Sequence, residues 1–139
     1  MTKVPEVGQH GRQTAVAERR AATPRASAEL TRRIASVVDS KQGADIVALD
    51  VRELVGYTDF LVICTARNER QAKAIHDEVY ARLKQEDDLL PARVEGGTEA
   101  RWVLMDYLDC VLHVFVPEMR DRYRLETLWG EAPELDLSS

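Results

Sequence analysis

Between Arg101 and Trp129 the chain carries two apolar, β-rich runs, Trp102 to Met105 and Cys110 to Val116, parted only by Asp106-Tyr107-Leu108-Asp109. So short a polar break makes each run the natural partner of the other, and the spacing predicts a hairpin. Pro117 follows at once. Proline has no N–H to give a ladder but suits the first turn of a helix, and Glu118 behind it complements the helix N-terminus. The stretch therefore predicts one hairpin and then one short helix.

Upstream, residues before about Thr23 hold few large apolar groups and no sustained period, the pattern of a disordered tail. An organelle-targeting peptide is the competing reading, but no apolar face forms opposite the arginines. From Ser27, as N-cap, Leu30, Ile34, Val37 and Val38 recur at helical spacing, and Gly43 is expected to close the helix in a left-handed conformation. Asp45 to Val51 alternates with both sets largely apolar, and Asp59 to Cys64 is apolar throughout, which predicts a strand covered on both faces and a central strand. Asn68 with Gln71 reads as a capping box for a second helix whose stripe is Ala72, Ile75, Val79 and Leu83, with Glu69 and Lys73 as a surface ion pair. Glu86 to Asp88 ends it, and a short strand is expected around Ala92 to Glu95. Gly96-Gly97-Thr98 lacks the spacing and lysine of a phosphate loop and reads as a turn.

The order helix, strand, strand, helix, strand, strand, strand, helix predicts an α/β sandwich, two long helices beside a mixed sheet of about five strands. The second helix is long enough for a crossover, so at least one parallel pair is expected. Expected boundaries are a basic tail at 1–26, one domain at 27–130 and a frayed acidic tail at 131–139. A chain of 139 residues suits one such core. No run approaches the length of a membrane span, and no secretory signal is evident, so a cytoplasmic protein is expected. Cys64 and Cys110 form no C-x-x-C pair and read as small buried hydrophobes; no metal or cofactor is expected.

Met1 to Ala26 holds five basic residues against two acidic ones, a net of +3, and because the whole chain carries −5 the remainder carries −8. An acidic domain is repelled by phosphate backbones, so a basic protein surface fits it better than nucleic acid.

Several segments, taken in order, resemble the ribosomal silencing factor, or Iojap, family: Asp45 to Val51, Thr58 to Thr65, Arg70-Gln71, Val94-Glu95-Gly96, Trp102 to Asp106, Asp109, His113-Val114-Phe115 and Tyr123 to Trp129. The match runs from about Leu30 to Trp129. The resemblance implies an α/β domain, commonly dimeric when free, that binds the large ribosomal subunit through ribosomal protein fourteen and blocks joining of the small subunit, repressing translation without catalysis. Organellar relatives take part in large-subunit assembly. One departure is Leu108, where many relatives have glycine; a turn needing positive φ penalises leucine, so another turn type is expected.

Period 2 puts Trp102, Leu104 and Asp106 on one strand face and Val103 and Met105 on the other. If helices cover the second set, the first offers an aromatic anchor, an aliphatic neighbour and a carboxylate to a partner; Glu95 and Asp109 flank it. These five, Glu95, Trp102, Leu104, Asp106 and Asp109, are the candidate partner-binding residues. Without the family pattern, a Trp102 that simply caps the core is the competing reading. Asp106 and His113 could face one another as an acid–base pair, but no Ser or Cys nucleophile accompanies them, so a structural histidine is expected. The family's fold is similar to that of nucleotidyltransferases, which makes an enzyme the rival class. Those need paired carboxylates for Mg²⁺, whereas Asp45 and Asp50 fall on opposite faces and Gly96-Gly97-Thr98 precedes no Asp-x-Asp. Tyr123, Leu125, Leu128 and Trp129 are expected to pack on the domain or in a dimer contact.

Overall fold

The hairpin forms, and the sheet extends from both of its sides. In the computed structural model, which describes residues 15–16 and 24–137, chain order is β1 (Ala15–Val16), α1 (Pro24–Ser40), β2 (Ala44–Asp50), β3 (Phe60–Thr65), α2 (Glu69–Asp87), β4 (Leu89–Leu90), β5 (Arg93–Glu95), β6 (Trp102–Asp106), β7 (Cys110–Phe115), α3 (Pro117–Tyr123) and α4 (Leu125–Leu128). The basic tail expected at 1–26 lies almost wholly outside the described residues. Strand order in the five-stranded sheet is β2-β3-β7-β6-β5. Within this sheet, among the described residues, only β3 and β7 run parallel, and the chain between them, including α2, supplies the crossover. The fully apolar β3 is interior, though β7 is the middle strand. β1 pairs with β4 in a separate parallel ladder.

Helices α1 and α2 cover one face of the sheet. Their stripes, Ile34, Val37 and Val38 from α1 and Ala72, Ile75, Val79 and Leu83 from α2, are sealed against Val62, Cys64, Val103, Met105, Leu112 and Val114. Full burial of each large aliphatic side chain here is worth roughly 1.5–3 kcal/mol. The opposite face is covered over β2 and β3 by α3, α4 and the C-terminal residues beyond α4: Leu49, Val51, Leu61, Ile63 and Phe115 form a second cluster with Met119, Leu125, Trp129 and Ala132. No helix among the described residues is long and apolar enough to cross a membrane.

Several local expectations change on contact with the rest of the fold. Ser27 does not cap α1, which begins at Pro24, where a missing N–H costs nothing. Its buried hydroxyl instead donates to Asp59 Oδ2 at 2.7 Å. The left-handed residue after α1 is Gln42 (φ 66°); Gly43 is needed because a Cβ there would run into Val38. Asn68 caps α2 by accepting the Gln71 N–H at 2.8 Å, but Gln71 reaches past it to the Arg67 N–H at 2.6 Å. The Gln71 amide also donates to the carbonyls of Lys41 and Gln42, tying the start of α2 to the end of α1. Lys73 pairs with Asp77 rather than with Glu69, whose carboxylate lies 3.9 Å from Arg101. Of the residues expected to fray, those described, 131–137, do not: Pro133 and Leu135 bond to the backbone of β2. Leucines 135 and 137 reach the helix-side core, which gives that short segment something to bury.

Candidate functional site

On the face turned away from α1 and α2, β6 presents Trp102, Leu104 and Asp106, while Val103 and Met105 are fully buried beneath the helices. The pairing registers fix what stands beside each. Leu104 lies between Glu95 on β5 and His113 on β7, Asp106 between Arg93 and Val111, and Trp102 opposite Phe115. Because α3 and α4 cover only the β2 side of this face, the β5–β6 side stays open as a shallow concavity of about 600 Å³. Tyr57, Arg93, Leu104, Asp106, Val111 and His113 line it, with Tyr57 58% exposed at its rim.

Trp102 is half-buried rather than sealed. Its ring packs against Phe115 at 4.8 Å and Tyr123 at 4.7 Å between centroids, and its Nε1–H donates to His113 Nδ1 at 3.0 Å. His113 is 6% exposed, and burial pushes its pKa down to about 4. A neutral ring that accepts at Nδ1 carries its proton on Nε2, so His113 is an acceptor built to hold the indole. Asp106 is not its partner: one row away, Asp106 Oδ1 accepts the Leu108 N–H at 2.8 Å.

The acidic residues divide. Glu95 is exposed and Asp106 half-buried, and Arg93 lies between them, 3.2 Å from Glu95 and 3.7 Å from Asp106. Asp109, expected beside them, is only 5% exposed, and its carbonyl accepts the N–H groups of Asp59 and Phe60 at 3.2 and 3.1 Å. It seats the hairpin on β3 and does not reach the open face. Arg93 escaped the sequence reading, although its period-2 relation to Glu95 was a sufficient signal. Tyr57 carried no such signal, since only the long-range register of β3 beside β7 brings its loop to the rim.

Leu108 overturns the expected turn type. It holds φ 69°, with the Asp109 N–H bonded to the Tyr107 carbonyl at 2.8 Å, a γ-turn in the position where glycine is easier. Gly96 is needed on two counts, a φ of +78° and a Cβ that would strike the Trp102 carbonyl. It brings β5 alongside the tryptophan.

Chemistry elsewhere is muted. The thiols of Cys64 and Cys110 are buried and pushed up to about 12 by desolvation. Among the described residues no three His, Cys, Asp or Glu side chains gather as a metal site. A second cleft, of about 380 Å³, is lined by Asp45, Thr65, Arg120 and Arg124, but Arg120 already donates to Glu126, the Asp45 carbonyl and the Thr65 hydroxyl.

The family described as ribosomal silencing factor during starvation matches residues 24–139. A relative from Halalkalibacterium halodurans, named ribosomal silencing factor RsfS, is 39% identical over 109 residues, 78% of this chain and 92% of that protein. A crystal structure of a Chromobacterium violaceum protein superposes with a TM-score of 0.71 at 30% identity, covering 80% of this chain and 91% of that one. The mouse protein named mitochondrial assembly of ribosomal large subunit protein 1 is 30% identical over 99 residues, 69% of this chain and 43% of its own length.

Proposed function

The chain belongs to the ribosomal silencing factor family, and from that premise we propose that it binds the large ribosomal subunit through ribosomal protein fourteen and represses translation by standing in the way of the small subunit. The observation that carries the reading is the half-open sheet face, where Trp102 is held in one orientation yet remains partly accessible. Tryptophan in such a setting is the side chain most enriched among interface hot spots. Leu104 supplies the apolar floor beside it, and Glu95 and Asp106 supply rim charge for a basic partner, with Asp109 holding the turn below them. Occlusion needs no reacting group, so the protein acts without catalysis; as the family reading further implies, it works in the cytoplasm and is a homodimer when free.

Sedimentation with purified large subunits tests the contact, and a subunit-joining assay tests the consequence. Co-sedimentation and slowed joining are the expected results. Failure of the unmodified protein to slow joining removes the mechanism, and wild-type occupancy by Trp102→Ala removes the assigned face.

A role in assembling the same subunit is the second reading, favoured by the mouse relative's name. Ribosome profiles of cells lacking the protein separate the two. Accumulated large-subunit precursors support assembly; normal subunits that stay joined in starvation support silencing.

A further inference from the structure

As the outer strand of its sheet, β2 carries one row of backbone groups pointing away from β3. An uncovered row of this kind is a template for any extended chain that reaches it. Here the chain covers its own edge. The Asp50 N–H donates to the Pro133 carbonyl at 2.7 Å, the Leu135 N–H donates to the Ala48 carbonyl at 2.8 Å, and Leu49 and Glu134 form an antiparallel bridge between them. Segment 131–137 also wraps the strand from face to face. Ala132 is buried in the cluster around Leu49, whereas Leu135 and Leu137 pack on the helix-side core, and Arg32 donates to the Asp136 carbonyl at 3.1 Å.

What the segment turns outward is a poor template in its own right. Pro133 has no N–H, and Glu134 and Asp136 are exposed acids, the features with which sheet edges are blunted. The other edge, β5, is three residues long and carries Arg93 and Glu95.

The groups that the segment occupies are self-complementary. About a twofold axis at Leu49, the Asp50 N–H of one copy would meet the Ala48 carbonyl of another, and the reverse, with Leu49 opposite Leu49 and Asp50 opposite Ala48. No like charges face each other in that register, and the contact closes as an isologous pair.

We propose that residues 131–137 are an edge guard, and that the surface they occupy fits β2 of a second copy of this chain, paired antiparallel. The guard lies at the opposite end of the sheet from β5 and does not depend on the ribosomal reading. Removing it frees the edge without unfolding the domain, because both apolar clusters consist chiefly of residues before Gly130.

The test compares the full chain, a chain ended after Gly130, and the variants Leu135→Pro and Glu134→Pro. Leu135→Pro deletes the donor of a guard bond, whereas Glu134 sits at the non-bonded position of the bridge, so its N–H is expendable. Amide exchange at Asp50 and mass by light scattering over a concentration series are the readouts. In dilute solution the truncated chain and Leu135→Pro are expected to exchange the Asp50 amide faster by roughly tenfold or more. On concentration they should reach at least twice the mass of the full chain, two copies from a single chain or four from the homodimer proposed above, while Asp50 regains protection, and a synthetic peptide of residues 131–139 should reverse the gain. Glu134→Pro should match the full chain. Unchanged Asp50 exchange, an unchanged mass at every concentration, or loss of the fold on truncation each overturns the proposal.

Discussion

The indole Nε1 of Trp102 donates to Nδ1 of His113, two residues from adjacent strands of one hairpin that are not directly opposite in its register. Leu104 stands opposite His113, so the bond runs diagonally across the face and pins the indole over Phe115. A side chain pinned before docking loses less freedom on docking.

Trp102→Ala is accordingly expected to weaken binding to large subunits by about 30-fold, the equivalent of roughly 2 kcal/mol for an anchor at the centre of an interface. His113→Leu removes the acceptor at a residue only 6% exposed, so little of its effect comes from direct contact with the partner. It should weaken binding when Trp102 is present and have no further effect in the Trp102→Ala background, a coupling that a double-mutant cycle by sedimentation reads directly.

The same histidine gives stability a pH dependence of known sign. With its folded pKa near 4, against 6.5 for the unperturbed ring, His113 binds its proton more readily in the unfolded chain. Its contribution is present in full above about pH 6.5 and is lost as the pH falls towards 4, amounting to about 3 kcal/mol. Urea melts from pH 7.5 to 4.5 should therefore show a falling midpoint, and His113→Gln should flatten that slope. An equal slope in the variant would assign the pH dependence elsewhere.

Gly96→Ala puts a methyl group against the Trp102 carbonyl at a φ of +78°. The two faults together should cost about 1–3 kcal/mol or more in urea melts. The near-ultraviolet signal of the tryptophan should change as well, because the displaced backbone is its own.

Leu108→Gly should behave unlike an ordinary leucine deletion. Relief of a left-handed conformation offsets the lost packing and the added freedom of the unfolded chain, so a net change within about 1 kcal/mol is expected. Leu108→Val, β-branched at the same φ of 69°, should be clearly worse.

What was legible beforehand is what depends on period. The α2 stripe Ala72, Ile75, Val79 and Leu83 reads off helical spacing and is completely buried, and the division of Trp102, Leu104 and Asp106 from Val103 and Met105 reads off strand alternation. The misread residues answer to partners distant in sequence. Asp109 stands where its carbonyl accepts the N–H groups of Asp59 and Phe60, Ser27 turns from capping because Asp59 is within reach, and residues 133 and 135 are ordered by an edge that closes more than eighty positions earlier. Leu108 is a different case, since there the hairpin register and the Asp106 carboxylate hold a backbone conformation that local preference opposes.

Arg93 sets the last prediction. It is 57% exposed and stands between Glu95 and Asp106 at 3.2 and 3.7 Å, so its ion pairs contribute little to folding, within about 1 kcal/mol. For a docking partner the effect is larger, because the guanidinium cancels one of the two rim charges and competes with any incoming lysine or arginine for both. Arg93→Gln should leave the urea midpoint nearly unchanged and raise the association rate with large subunits several-fold at low salt, since rim charges act on encounter more than on residence. The gain should shrink between about 0.05 and 0.5 M salt as the screening length contracts. Stopped-flow mixing at both salt concentrations is the measurement. Slower association of the variant at low salt would mean that the partner offers a carboxylate to Arg93, and the assignment of an acidic rim to a basic neighbour would have to be reversed.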